Sequence, residues 1–96
     1  MHEQLHSDDN ISVFLTIEDD DILRLEIVSH DEDTCDLSID DEVVVFMDDK
    51  PVSVQAEDAS HAVAELGSAD KLEDQPFSVV LRVHEFFEGW DFGPQE

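Results

Sequence analysis

Charge restricts the folds open to this chain more than any motif does. Twenty-seven Asp and Glu stand against four Lys and Arg in 96 residues, a formal net charge of −23. The cations are Arg24, Lys50, Lys71 and Arg82, so few of the acids can be neutralised within the chain. Self-repulsion of that size destabilises a compact state, and a chain that keeps it either uses it or lives where salt screens it. The hydrophobic fraction is nevertheless 41%, and it falls in ordered runs. Those runs separate the chain from a disordered acidic tail, which lacks the apolar blocks that offset ordering entropy. The length predicts one domain with a single modest core.

Period two dominates the first half. Residues 1–9 read as a mobile leader and 10–96 as one α+β domain. Ile11, Val13, Leu15 and Ile17 alternate with Ser12, Phe14, Thr16 and Glu18 in a half-buried strand. Asp19, Asp20 and Asp21 make a turn. Leu23, Leu25 and Ile27 then alternate with Arg24, Glu26 and Val28, which completes an antiparallel hairpin. Cys35 to Ile39 is expected as a short edge strand. Val43 to Met47 is wholly apolar, the pattern of a central strand covered on both faces. Asp48-Asp49-Lys50-Pro51 turns the chain, and Val52, Val54 and Ala56 complete a second hairpin.

One helix is expected next. Asp58 can cap its start and Gly67 its end, while Ala59, Ala62, Val63 and Leu66 form an i, i+3, i+4, i+7 stripe. Ser68 to Gln75 is a polar connector, and Phe77 to Val83 is a last strand. The predicted fold is an antiparallel sheet of about five strands, two hairpins plus a C-terminal strand, with one short helix packed on one face. The acids concentrate at turns, in clusters at 19–21, 31–33, 40–42 and 48–49, so anionic groups should decorate both ends of the sheet.

Motifs for chemistry are weak. His2-Glu3-Gln4-Leu5-His6 matches H-E-x-x-H, whose zinc chemistry needs both histidines on one face of a rigid helix and a third ligand. Here it starts at the second residue, with nothing before it to hold a helix in a core, and it reads as a tail that spells the motif. Asp31, Asp33 and Glu42 hint at a calcium loop, but the fifth and sixth places hold Cys35 and Asp36 rather than Asp or Asn and Gly. Cys35 lies between Asp33 and Asp36, an electronegative setting that blunts a thiolate, with His30, His61 and His84 as the conceivable bases. No catalytic, metal or cofactor assignment is made, and no enzyme activity is expected. The stretch from Glu85 to Phe92 holds four of the seven aromatics. Phe87, Trp90 and Phe92 are candidates either for a partner contact or for closing the core.

The chain would be repelled by nucleic acid and by anionic lipid, so its partners are cations, above all the basic surface of another protein. No apolar stretch approaches the roughly 20 residues of a membrane span, and no signal peptide is visible at the start. A single cysteine, Cys35, points to a reducing cytoplasm. In composition and size the chain resembles the phage-encoded DNA mimics that block restriction or CRISPR effector complexes. The resemblance covers charge and length only, with no motif. It implies an acidic inhibitor that occupies the basic nucleic-acid-binding surface of a nuclease or similar complex in the host cytoplasm. Asp19, Asp20, Asp21, Asp40, Asp41, Glu42, Asp48 and Asp49 are the candidate phosphate mimics, because turns present them outward. Two other readings compete: a halophile's protein whose charge is a solvent adaptation, and an acidic immunity protein or antitoxin covering a basic toxin site. The oligomeric expectation is a monomer or homodimer.

These readings divide on salt. A functional acidic surface predicts a chain folded at physiological ionic strength, with a melting temperature that rises as the Debye length falls from about 8 Å toward 3 Å. Circular-dichroism melts across salt check this, and folding only in molar KCl would assign the charge to halophilic adaptation.

Overall fold

The computed structural model describes residues 2–33, 36–38, 43–69, 76–83 and 86–92. Nine strands follow one another: β1 (His2–Ser7), β2 (Ile11–Ile17), β3 (Ile22–Ser29), β4 (Val43–Met47), β5 (Lys50–Val52), β6 (Val54–Asp58), β7 (His61–Ser68), β8 (Phe77–Val83) and β9 (Phe86–Phe92). They form a five-stranded sheet in the order β1-β2-β3-β7-β6 and a four-stranded sheet in the order β5-β4-β8-β9, antiparallel throughout. The expected α+β architecture is therefore corrected to an all-β one: two sheets with a single core between them.

The alternation seen in the sequence builds that core directly. Ile11, Val13 and Leu15 of β2, Leu23, Leu25 and Ile27 of β3, and Ala62, Ala64 and Leu66 of β7 face inward from one sheet. Val45 of β4 and Phe77, Val79, Leu81 and Val83 of β8 face them from the other. Side chains on the opposite pleat of each strand stay on the outside of the sandwich.

The segment read as a helix is the β6–β7 hairpin. Its apolar residues satisfy two periods at once. The i, i+3, i+4, i+7 stripe shares Ala62 and Leu66 with the alternating set Ala62, Ala64, Leu66, and the alternating set is the one that is buried. Long-range pairing decides between them, because β7 is hydrogen-bonded on both sides, to β3 and β6. Asp58 caps the β-turn before β7, its Oδ1 accepting the Ser60 N–H and hydroxyl at 2.8 Å each. Gly67 has φ 135° next to a bulge at which Leu23 pairs with Gly67 and Arg24 with Glu65. Cap and glycine thus serve strand-ending geometry with the same local chemistry that a helix would use.

Five other expectations meet a different placement. Within the segment read as a leader, β1 pairs with β2 along the sheet edge. Val52 and Val54 do not share a strand: the chain passes from one sheet to the other at Ser53, closing one side of the sandwich covalently. β4 lies inside its sheet as expected, yet only Val45 is fully buried, and Val44 and Phe46 are half-exposed on the outer face. Phe77–Val83 is followed by a further strand, β9. Of the expected edge strand, Asp36–Ser38 form a turn, and Cys35 and Ile39 lie outside the described residues.

Core placement has a measurable consequence. Leu25→Ala, at a position with no solvent exposure, should cost about 2–5 kcal/mol. Ala62→Leu should cost about 1–3 kcal/mol by overpacking the layer between the sheets. Urea denaturation measures both.

Candidate functional site

Hairpin geometry explains where the acids sit. In the β2–β3 turn the Asp21 N–H donates to the Glu18 carbonyl at 3.0 Å, and Asp21 adopts φ 58°. The β4–β5 connection has φ 50° at Asp48 and 68° at Asp49, the two-residue hairpin that matches strand twist. Left-handed conformations disfavour most side chains, and Asp and Asn adopt them more readily than other non-glycine residues. At several of the turns an aspartate accepts the N–H two residues on. The pairs are Asp8 with Asn10 (2.7 Å), Asp20 with Ile22 (3.1 Å), Asp31 with Asp33 (3.0 Å), Asp36 with Ser38 (2.9 Å) and Asp58 with Ser60 (2.8 Å). Much of the acid content is therefore also turn chemistry.

The predicted phosphate mimics divide accordingly. Asp20 is engaged: Arg24 donates Nη1 to its Oδ1 at 3.2 Å and Nη2 to its Oδ2 at 2.7 Å. That guanidinium also lies 3.7 Å from Glu18 and 3.5 Å from Glu65, so three acids share one cation. The Arg24 hydrogen bonds, then the Ile22 N–H, hold the Asp20 carboxyl down at about 2. Asp48 ties the turn to β8, accepting the Ser78 N–H at 2.9 Å and its hydroxyl at 3.2 Å. Asp19, Asp21 and Asp49 are exposed, and their carboxylates accept no hydrogen bond from the described residues. Asp40, Asp41 and Glu42 lie outside the described residues. Of the aromatics, Trp90 and Phe92 pack against the core, with Phe92 stacked on Phe77 at 5.2 Å, whereas Phe87 points outward and is 68% exposed.

A second acidic concentration escapes sequence reasoning. At the opposite end of the five-stranded sheet the β1–β2 turn, the β3–β4 connection and the β6–β7 turn meet. The His30 N–H donates to the Asn10 carbonyl (2.8 Å), the Ser29 N–H to Ser60 (2.8 Å) and the Leu37 N–H to Ala59 (2.9 Å). These contacts gather Asp8, Asp9, Asp31, Glu32, Asp33, Asp36 and Asp58 from three distant stretches of chain, and those stretches contain no Lys or Arg. Only the 31–33 cluster was visible as such in the sequence. The sequence reading puts Asp8 and Asp9 in a leader, Asp36 in a short edge strand and Asp58 at a helix cap. His6 lies 2.8 Å from Asp8. That contact, followed by the Ile11 and Asn10 N–H groups, brings the Asp8 carboxyl down to about 2.

The H-E-x-x-H residues are on β1, where register places His2 opposite Thr16 on the outer face and His6 opposite Val13 on the core side. His2 stacks on Phe14 at 4.7 Å and His6 packs on Phe86 at 5.0 Å. Histidines on opposite faces of a strand cannot chelate one ion as they would on a helix. Among the described residues no three His, Cys, Asp or Glu side chains are grouped to hold a metal. No described helix is long and apolar enough to cross a membrane. Compared with known families, characterised proteins and solved structures, the chain matches none.

One titration follows from the geometry. His61 lies between Glu57 (2.8 Å) and Glu26 (3.2 Å), joining β3, β6 and β7. Burial pulls its pKa down, but the two carboxylates outweigh burial and the net shift is upward from 6.5. A raised folded-state pKa stabilises fully below the unfolded value and is lost as pH rises through the folded one. Unfolding free energy should therefore fall as pH climbs from about 6.5 upward, and His61→Gln should flatten that dependence. Denaturant midpoints measured at a series of pH values give both slopes.

Proposed function

We propose that this protein is an acidic decoy, a DNA-mimic inhibitor that occupies the basic nucleic-acid-binding surface of a partner protein. The observation that carries the reading is the convergence of Asp8, Asp9, Asp31, Glu32, Asp33, Asp36 and Asp58 at one end of the sandwich, with no Lys or Arg in the segments that form it. A duplex presents one negative charge per roughly 1.7 Å of axis. Three adjacent loops gather seven carboxylates at this end, of which those of Asp8, Asp31, Asp36 and Asp58 are held by turn hydrogen bonds. The other end adds Asp19, Asp21 and Asp49, whose side chains are likewise exposed.

Recognition of this kind depends on field more than on shape. A basic groove would be drawn to the acidic end by long-range attraction, which raises association rates and falls steeply with ionic strength. The protein would not touch nucleic acid. It would displace it, acting in the cytoplasm, the host's if the chain is phage-encoded, against restriction or CRISPR effector complexes. The same surface chemistry would suit an immunity protein, and the target assayed separates the two.

The test uses acids whose side chains accept no hydrogen bond from the described residues, so that turns are spared. Asp9→Lys, Glu32→Lys and Asp33→Lys together, and separately Asp19→Lys, Asp21→Asn and Asp49→Asn, the last two because Asn tolerates the positive φ there, should keep the circular-dichroism spectrum. Duplex oligonucleotide displacement from a panel of restriction endonucleases, CRISPR effectors and basic toxin nucleases is then measured. The first triple variant should need about tenfold more protein for half displacement. Undiminished displacement by both triple variants, or none by the wild type on any target, would overturn the reading.

A further inference from the structure

The outer face of the four-stranded sheet is unlike the rest of the surface. Register sets Pro51, Phe46, Val80 and Gly89 in one row across β5, β4, β8 and β9. Val44, Arg82 and Phe87 form the next row, and Ser78 and Asp91 flank the first on its other side. None of these residues belongs to the core between the sheets. Its charged groups are Arg82, Asp91 and, beside Ser78, Asp48, whose carboxylate accepts the Ser78 hydroxyl at 3.2 Å, and most of the remainder is apolar. By contrast, the outer face of the five-stranded sheet carries Glu26 and Glu65 around an Arg24 that Asp20 already holds. Among the described residues, a chain of net charge −23 thus keeps one face of low charge and places on it Phe87, its exposed large hydrophobic residue.

Gly89 adds a second, independent observation. It lies in the interior of β9 without the positive φ that would call for glycine. A Cβ added there would sit at ordinary contact distance, 3.7 Å from the Val79 carbonyl oxygen and 3.7 Å from Val80 Cγ2. Glycine weakens a strand interior, and where nothing inside the fold requires it, its usual reason is the close approach of another group.

We propose that this face is a homodimer interface, at which two copies pack sheet on sheet about a two-fold axis lying across β9 between Phe87 and Gly89. Such an axis sets each Phe87 ring into the hollow over the other copy's Gly89, a knob and a hole that one surface supplies to itself. Charge selects the occupant. A basic partner is drawn to the carboxylates at the ends of the sandwich and finds only Asp48 and Asp91 here among the described residues, and a nucleic acid is repelled. A second copy, itself anionic, is the partner for which a face of low charge is the required feature. Strands about 4.8 Å apart and rows about 6.8 Å apart make a footprint of roughly 400 Å² per copy. The total, about 800 Å², is below the 1,200 Å² or so of a stable complex, so the dimer is a weak, concentration-dependent one. Its salt dependence is opposite to that of a basic partner, because salt screens the repulsion between two anionic chains.

Sedimentation equilibrium on the full chain, over a hundredfold concentration range, tests this at low salt and at about 1 M NaCl, where the Debye length is about 3 Å. The expected result is a monomer–dimer equilibrium that tightens with salt. Phe87→Asp and Gly89→Leu should each weaken it at least tenfold while preserving the circular-dichroism spectrum. Two variants are used so that misfolding of one leaves the other decisive. A monomer under every condition, open-ended aggregation, or a dimer indifferent to the folded variants would overturn the proposal. Displacement of nucleic acid from a basic partner is a separate readout, so the failure of either proposal is distinguishable from that of the other.

Discussion

The apolar layer between the two sheets is what this structure depends on. Every charged cluster outside it raises the free energy of the compact state, and few cations are present to compensate. Burial of β-branched and leucine side chains from β2, β3, β4 and β8, with alanines from β7, is the large favourable contribution that sets the strands face to face. The alanines have a particular role. Ala62 and Ala64 lie on β7, an interior strand of the larger sheet, with no exposure, where small side chains let the opposing layer approach. The layer also explains why β1 and β9 fold back along the open side: Leu5, Phe86, Trp90 and Phe92 pack against it, and His6 meets Phe86 across the gap.

Given that layer, the acids are not simply distributed over what is left. They accumulate where the chain reverses, because an aspartate in a turn accepts the N–H two residues ahead and tolerates φ above zero. Asp8, Asp20, Asp31, Asp36 and Asp58 all bond in this way. Charge density at the two ends of a sandwich is then a consequence of building tight hairpins from aspartate. Glycine would permit the same turns without the charge, and the chain uses few glycines. Carboxylate display and turn formation are accomplished by the same residues, which leaves the broad faces of the sheets free for other purposes.

Those faces differ from the ends in character. The ends are anionic and rimmed by exposed backbone turns, suited to long-range attraction of a cationic surface. The outer face of the smaller sheet is largely apolar and weakly charged among the described residues, suited to short-range contact. Separating the two kinds of surface avoids the conflict that arises when an apolar contact must form through a like-charged field. The interpretation of each face rests on where register places its residues, and on no single motif.

What the sequence by itself determined is strands β2, β3 and β4, the presence of hairpins at 19–21 and 48–49, and the outward display of acids at those two turns. Each of these is written in nearest-neighbour patterns: period-two alternation in Ile11 to Ile17 and Leu23 to Ile27, and aspartate pairs where the chain must reverse. Residues 58–67 were ambiguous locally, since Asp58, Ala62, Leu66 and Gly67 fit a helix and a hairpin equally well. The tertiary structure settled them as strands, because β3 would otherwise leave a row of backbone N–H and C=O groups unpaired beside an apolar face. The same is true of β1, whose His-Glu-Gln-Leu-His pattern acquires strand form by pairing with β2. Only the tertiary structure assembled the acidic end from residues 8–9, 31–33, 36 and 58, and only cross-strand register revealed the weakly charged face of Phe46, Val80, Phe87 and Gly89. Both depend on which strand lies beside which, and that choice is made by long-range packing of the core, which no local window of sequence contains.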